Sequence, residues 1–253
     1  MVVTSLNNAI VTLITILHSL PHMSQTEVLA TGLRVAPHGN LWLEFGVFRA
    51  LTLQKIATTT NDTIYGFDSF EGLPETWRLS KNNPGNNFDR SYTMKGSFSL
   101  QGKLPSLHAP NTRLIKGWFN NTLPRFLQEH THASVSMLHI DCDLYSSAAY
   151  VLTALKTRIR VGTVIVFDEL INYPSFEKHE FLALFEWLKD TGHVLKVLSG
   201  ANMIKHPRHE VWPQAVAFQV VDRKHAGAPY TFNVHSSFWY THVKKLEKKN
   251  LLI

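Results

Sequence analysis

The stretch "SMLHIDCDLYSS", residues 136–147, joins an apolar run to two aspartates and then to a helical pattern. The apolar run is typical of a strand that is buried on both faces, whereas aspartate is a poor strand residue. Asp141 and Asp143 lie at positions i and i+2, so their side chains project to the same side of an extended chain. Burying a carboxylate without a partner is costly, and two of them at a strand end therefore indicate a functional site.

Comparable apolar runs alternate with helical patterns along most of the chain. The predicted strands are "LWLEFG" (41–46), "TIYGFDSF" (63–70), "TRLIKGWF" (112–119), "SVSMLHIDCD" (134–143), "GTVIVFDE" (162–169), "HVLKVLS" (193–199) and "QAVAFQVV" (214–221). Near-continuous apolar strands separated by helices predict a mostly parallel sheet with helices on both faces. The expected fold class is therefore α/β, a doubly wound, Rossmann-like domain.

Composition indicates one globular domain: 253 residues, 44% hydrophobic and 17% charged. We predict this domain over residues 41–253, preceded by a helical lid or docking segment at residues 1–40. The apolar run from Ala9 to Leu20 is shorter than the ~20 residues that span a bilayer, so no membrane segment is expected. Its apolar character makes this segment a candidate contact in a homo-oligomer.

The charge distribution and the cysteine count set further expectations. The net charge is +6, but Lys and Arg are dispersed apart from the cluster between Lys244 and Lys249. Such a run is typical of a solvated helix face, so no nucleic-acid partner is expected. The single cysteine, Cys142, excludes an internal disulfide and fits a reducing compartment, and we expect a cytoplasmic protein with Cys142 as a packing residue.

Acidic residues follow four of the predicted strands, where ligands of doubly wound sheets bind. A single acidic strand end usually caps a helix or forms a turn, but four in one domain favour a binding site. These strand-end residues, together with one glycine, are Glu44, Gly46, Asp68, Asp141, Asp143, Asp168 and Glu169.

The first two strand ends have the features of a nucleoside site. Gly46 at a strand–helix turn would let the backbone approach a ligand. Asp68, about 20 residues further on, suits an acidic residue that accepts hydrogen bonds from ribose hydroxyls. The dinucleotide fingerprint G-x-G-x-x-G is absent, which disfavours a nicotinamide-dependent oxidoreductase.

The later strand ends have the features of a metal site. Asp141, Asp168 and Glu169 would crowd negative charge, and carboxylate ligands favour Mg²⁺ or Mn²⁺ over zinc. A divalent ion would lower the pKa of a substrate hydroxyl, and a carboxylate that does not bind the ion would act as general base. His139, inside the strand, is interpreted first as a core histidine with a hydrogen-bond partner.

Several blocks carry a resemblance to a known family: "LEFGVFRALTL", "YGFDSFEGLPETW", "KGWFNNTLPRFL", "LHIDCDLYSS", "GTVIVFDELINYPSFEKHEF" and "QAVAF". In this order they resemble the macrocin O-methyltransferase family, class I enzymes that use S-adenosylmethionine and include Mg²⁺-dependent sugar O-methyltransferases. The resemblance implies methyl transfer to a hydroxyl of a small sugar, polyol or phenolic acceptor. It implies cofactor contacts at Glu44, Gly46, Asp68 and Ser69, metal ligands at Asp141, Asp168 and Glu169, and catalysis by Asp143 as general base together with Asp141.

Two departures from the family pattern keep an alternative open. Ala50 stands where the first motif usually has glycine, and Glu169 where the characterised sugar enzymes have a second aspartate. A degenerate S-adenosylmethionine-binding module with a regulatory or structural role would tolerate both changes. An N-methyltransferase of a macromolecule is disfavoured, because "DCDLY" occupies the place of the Pro-Pro-aromatic motif of such enzymes.

Overall fold

The computed structural model describes residues 5–77, 93–200, 213–226, 228 and 231–232. They form one eight-stranded sheet in the order β3-β2-β1-β4-β5-β7-β6-β8. The strands are β1 (Leu41–Phe45), β2 (Ile64–Asp68), β3 (Thr112–Lys116), β4 (Val135–Ile140), β5 (Val164–Phe167), β6 (Val194–Gly200), β7 (Val216–Val221) and β8 (Thr231–Phe232). Seven of them coincide with the predicted strands, and the two-residue β8 was not predicted.

The sheet is mostly parallel, as predicted. Strands β1 to β5 pair in parallel, and β7 lies antiparallel between β5 and β6. From β1 the chain passes to β2 and β3 on one side and then crosses to β4 on the other. The order therefore reverses between β1 and β4, which brings their carboxyl ends together at the switch point where such sheets bind ligands.

Helices cover both faces, which confirms the doubly wound α/β fold. They are α1 (Leu6–His18), α2 (Gln25–Val35), α3 (Leu51–Ala57), α4 (Phe119–Glu129), α5 (Tyr145–Ala154) and α6 (Glu180–Thr191). Helices α1, α4, α5 and α6 bury their apolar residues on one face, against Leu43 and Phe167 among others. Helices α2 and α3 cover the opposite face, where Trp42 and Val166 lie.

The segment before residue 41 contains two helices that pack on the sheet. Leu13 and Leu17 of α1 are fully buried, and α2 buries Val28 against β5, β6 and β7. Its function as a lid or docking segment stays a prediction. Among the described helices, none has the length and apolar character needed to cross a membrane. The lysine cluster at 244–249 and much of the polar insertion (78–92) lie outside the described residues.

Candidate active site

A cavity of about 610 Å³ opens at the carboxyl ends of β1, β2 and β4. It brings together most of the site residues that the sequence predicted, although they come from four different strand ends. Those on its wall are Gly46, Asp68, Ser69, Asp141, Asp143 and Glu169. Glu44 and Asp168 are not among the lining residues; Glu44 is fully buried, and the side chain of Asp168 is partly exposed.

The loop between β1 and α3 forms one end of the cavity, and Asp68 holds it. Oδ2 of Asp68 accepts hydrogen bonds from the backbone N–H groups of Val47 and Phe48, each at 2.8 Å. Oδ1 accepts from the N–H of Phe70 at 2.7 Å. Phe48 and Ala50 have positive φ angles of 47° and 60°, a conformation that is strained for residues other than glycine. Hydrogen bonds to the Asp68 carboxylate offset part of this strain.

Gly46 is required by a close approach between two strands. Its φ is +90°, and a Cβ atom built at this position would lie 1.7 Å from the carbonyl oxygen of Asp141. The sequence had assigned this glycine to the approach of a ligand. In the structure, the absence of a side chain at Gly46 allows the ends of β1 and β4 to approach each other at the switch point.

A second loop, between β4 and α5, carries the predicted general base. Asp143 is buried and has a φ of +63°. The backbone N–H groups of Cys142 and Asp143 both donate to Oε1 of Glu180, at 3.2 and 3.1 Å. Glu180 is fully buried at the start of α6. Each of the two cavity loops is thus held by one carboxylate oxygen that accepts two successive N–H groups.

Three carboxylates converge beside this loop. Asp141, Asp168 and Glu169 each offer an oxygen atom, and these atoms lie within 4.8 Å of one another. Burial raises the pKa of Asp141 and of Glu169 well above the usual range, and the charge of Asp168 raises both further. Glu169 Oε2 is buried and has no hydrogen-bond partner among the described residues. These features fit a cation between the three groups.

A buried chain of ionisable groups lies behind the three carboxylates. In the sheet register Glu44 pairs with His139, and Nδ1 of His139 lies 3.0 Å from Oε1 of Glu44. Its Nε2 lies 3.7 Å from Oδ1 of Asp168. Burial lowers the pKa of His139, but the nearby carboxylates of Asp168 and Glu44 outweigh it, and the net pKa is raised well above the usual value. A proton on this ring would offset the negative charge of the adjacent carboxylates.

This arrangement changes the interpretation of Glu44. Its side chain is fully buried and bonded to His139, away from the cavity wall. Burial raises the pKa of Glu44, and the hydrogen bond to His139 lowers it. Direct contact of Glu44 with a cofactor stays a prediction, and the structure gives its carboxylate a different partner.

Two residues of the site carry no sequence signal that we interpreted. Glu180 lies in "EKHEF", which is an ordinary helix start. Gln25, the first residue of α2, donates from Nε2 to the Asp168 carbonyl at 2.7 Å. Its Oε1 accepts from the N–H groups of Gln214 and Ala215 at 3.0 and 3.1 Å, so it joins the ends of β5 and β7. The contacts of Gln25 span more than a hundred residues of sequence, so local sequence patterns do not reveal them.

The remaining cavity wall combines aromatic rings with neutral hydrogen-bonding groups. The aromatic residues are Phe48, Phe98, Trp118, Phe119 and Tyr150, and the neutral polar residues other than Ser69 are Asn120, Asn121, Ser146 and Ser147. Cys142 is buried, and burial together with the nearby Glu180 and Asp143 raises the pKa of its thiol well above the usual value. A neutral thiol is a poor nucleophile, and Cys142 belongs to the apolar core, as a packing residue does. The same residue also lines the cavity, so it does not pack on the face opposite to the site.

The sheet order, with β7 antiparallel, and the cavity at the switch point are those of the Rossmann-like class I methyltransferase fold. The family model for macrocin-O-methyltransferase (TylF) matches residues 38–185, more than half of the chain. The chain therefore belongs to the macrocin-O-methyltransferase family, and it is an S-adenosylmethionine-dependent O-methyltransferase.

One solved structure shares this fold at low sequence identity, and another matches more weakly. The crystal structure of CalS11, a calicheamicin methyltransferase, matches with a TM-score of 0.52 and 20% identity, over 77% of this chain and 76% of that chain. The O-methyltransferase NovP matches with a TM-score of 0.46 and 19% identity, over 78% of this chain and 80% of that chain. No protein of curated function matches the sequence significantly.

Proposed function

We propose that this enzyme transfers the methyl group of S-adenosylmethionine to a hydroxyl of a small-molecule acceptor that is held by Mg²⁺. One observation carries the proposal: a single cavity contains the loop held by Asp68 and also the carboxylates of Asp141, Asp143 and Glu169. A cofactor at the first end and a metal-bound hydroxyl at the second would meet inside this cavity. Positioning of the two reactants would then supply much of the rate enhancement.

The end of the cavity near Asp68 fits the nucleoside part of the cofactor. Oδ2 of Asp68 already accepts two N–H groups and Oδ1 accepts one, so Oδ1 has one further acceptor position for a ribose hydroxyl. Gly46 and Ser69 line the same region. The half-exposed ring of Trp118 offers an apolar surface for a base to stack on. When bound, S-adenosylmethionine supplies a methyl group on a positively charged sulfur.

The other end fits Mg²⁺. The donors of Asp141, Asp168 and Glu169 are all carboxylate oxygens, the ligand type that Mg²⁺ prefers, and the longer side chain of Glu169 still reaches the group. When bound, Mg²⁺ supplies positive charge that stabilises an ionised acceptor hydroxyl. Asp143 lies on the wall next to Asp141, where its carboxylate would take the proton from that hydroxyl.

The cavity wall favours a neutral, hydroxylated acceptor of the sugar, polyol or phenolic type. Its aromatic rings suit the apolar faces of such molecules, and its asparagine and serine side chains suit their hydroxyls. CalS11, which shares the fold, is described as a calicheamicin methyltransferase. The absence of a nucleic-acid partner, the cytoplasmic location and a homo-oligomeric state stay predictions.

Calorimetry and a methyl-transfer screen test this proposal. S-adenosylmethionine should bind, whereas NAD should not. Labelled methyl groups should appear on members of a panel of sugars, polyols and catechols when Mg²⁺ is present, and a chelator should abolish the transfer. Absence of S-adenosylmethionine binding would overturn the proposal. Transfer that a chelator leaves unchanged would overturn its metal component.

Mg²⁺ affinity should rise with pH and should fall in Asp141→Asn. Metal binding requires ionised carboxylates, and the pKa values of Asp141 and Glu169 are raised in the free protein. Protons therefore compete with the metal as the pH falls through these raised values. At free Mg²⁺ one hundred times Kd the added stability is about 2.7 kcal/mol, which raises Tm by roughly 5–10 °C.

In the metal-free protein, the stability of the fold should change with pH in the opposite direction to Mg²⁺ affinity. A carboxyl group with a raised pKa in the folded state destabilises the fold as pH rises through its unfolded value toward the folded one. The Tm increase caused by Mg²⁺ should therefore be larger at pH 8 than at pH 6. Asp190→Asn is the control, because Asp190 pairs with Lys156 on the surface. An Mg²⁺ affinity that is equal in Asp141→Asn and in the unaltered protein would refute the ligand assignment.

A further inference from the structure

The backbone of the β4–α5 loop depends on one side chain from outside it. Oε1 of Glu180 accepts the N–H groups of both Cys142 and Asp143. Glu180 is fully buried, so water does not replace its oxygen there. If this acceptor were lost, two buried N–H groups would have no partner within the native loop.

The same loop holds its central residue in the left-handed region of backbone conformation. Asp143 has a φ of +63°. Aspartate adopts this region more readily than most residues, but the conformation still costs free energy unless the surroundings fix it, and such residues cluster at functional sites. The N–H that Asp143 donates to Glu180 belongs to this left-handed residue itself.

We propose that Glu180 is a positioning residue for methyl transfer: its Oε1 fixes the backbone of Cys142 and Asp143 and thereby directs the Asp143 carboxylate into the cavity. Glu180 is not among the residues that line the cavity, so it acts through Asp143 and touches neither reactant. The importance of Asp143 for turnover comes from the proposed function, on which this inference rests. The fixing of the loop itself does not depend on that function.

The first cavity loop supports this inference, because it is held by the same arrangement. Asp68 Oδ2 accepts from two successive N–H groups, those of Val47 and Phe48, and Phe48 is also in a left-handed conformation. Asp68, however, lies on the cavity wall, whereas Glu180 comes from α6 behind it. The position of α6 therefore sets the geometry of the β4–α5 loop, whereas the hydrogen bonds that hold the β1–α3 loop come from Asp68 at the end of β2.

Two substitutions of Glu180 separate an effect on the position of the Asp143 loop from an effect on the stability of the whole fold. Glu180→Met has similar size but no oxygen acceptor, whereas Glu180→Gln keeps a carbonyl oxygen for both N–H groups. We expect kcat to fall roughly 100-fold in the methionine variant, because a displacement of about 1 Å costs that much. The Kd of S-adenosylmethionine should change less than about twofold, since Asp68 holds the cofactor loop separately. The glutamine variant should recover kcat to within a few-fold.

Glu186→Met is the matched control on the same helix. Glu186 accepts a hydrogen bond from the Tyr145 hydroxyl at 2.6 Å on the exposed side of α6. Oε1 of Glu180, and not Glu186, accepts the N–H groups of Cys142 and Asp143. The kcat of Glu186→Met should stay near that of the unaltered enzyme. If Glu180→Met does not fold, Glu180→Asp replaces it, because the shorter side chain withdraws the oxygen and keeps the carboxyl group. We then expect at least about a tenfold loss of kcat.

Amide hydrogen exchange provides a readout that does not need turnover. The amides of Cys142 and Asp143 should exchange slowly in the unaltered protein and in Glu180→Gln, and at least tenfold faster in Glu180→Met or Glu180→Asp. Unchanged exchange, or an unchanged kcat in a folded Glu180→Met or Glu180→Asp, would overturn the inference. A kcat as low in Glu180→Gln as in Glu180→Met would overturn it too. If the unaltered protein methylates no acceptor, the proposed function fails, and exchange alone decides the role of Glu180.

Discussion

Asp143→Asn should lower kcat by about 10²–10⁴-fold, the usual contribution of a general base. Asparagine has nearly the same shape as aspartate but does not accept the proton of an acceptor hydroxyl. It also tolerates the left-handed conformation of residue 143, where φ is +63°, so the loop should keep its backbone. Labelled methyl transfer at saturating cofactor and Mg²⁺ measures the effect.

Cofactor binding controls for damage to the fold. Asp143 lies near the metal ligands, whereas the loop held by Asp68 forms the other end of the cavity. The Kd of S-adenosylmethionine in Asp143→Asn should therefore stay within about twofold of its original value, because the substitution leaves the hydrogen bonds of Asp68 in place. An equal loss of kcat and of cofactor affinity would argue against the role of Asp143 as base.

Gly46→Ala should destabilise the protein by about 3 kcal/mol or more and should weaken binding of both S-adenosylmethionine and Mg²⁺. The new Cβ atom would meet the carbonyl oxygen of Asp141 at 1.7 Å, so the ends of β1 and β4 must separate. That movement displaces the cofactor loop and a metal ligand together. Thermal unfolding should show a Tm that is lower by roughly 6–12 °C.

Gly162→Ala separates the steric effect from the backbone effect. Gly162 has a φ of +97°, close to that of Gly46, but a Cβ atom there would have no neighbour within 4 Å. This control should lose only the cost of placing alanine in an unfavourable conformation, about 1–2 kcal/mol. Equal destabilisation in the two variants would show that the contact with Asp141 does not matter.

Local sequence patterns predicted the fold and the acidic part of the cavity wall. Apolar runs located β1 to β7, because a strand buried on both faces needs such a run wherever it lies in the sheet. Asp68, Asp141, Asp143 and Glu169 follow such runs, and the carboxyl ends of parallel strands share one edge. The same patterns did not reveal β8, which has only two residues.

The pairing of Glu44 with His139 is an example of a contact that local sequence patterns do not predict. Each is an ionisable residue inside an otherwise apolar strand, and their pairing depends on β1 and β4 being neighbours in a particular register. Strand adjacency is a property of the whole chain, so the sequence around each residue does not contain it. The family resemblance implies a cofactor contact for Glu44, which stays a prediction, whereas the pairing of Glu44 with a buried histidine is visible only in the structure.

The sequence by itself determined which residues can be chemically active: an apolar strand cannot end in carboxylates at no cost, so their presence marks the site. Only the tertiary structure decided how that site is held. Glu180 and Gln25 lie 37 and 143 residues from the site residues that they bond. Contacts of that kind form because buried N–H and C=O groups must be paired by whatever packing brings near them. The identity of the partner follows from the packing of α2 and α6 on the sheet.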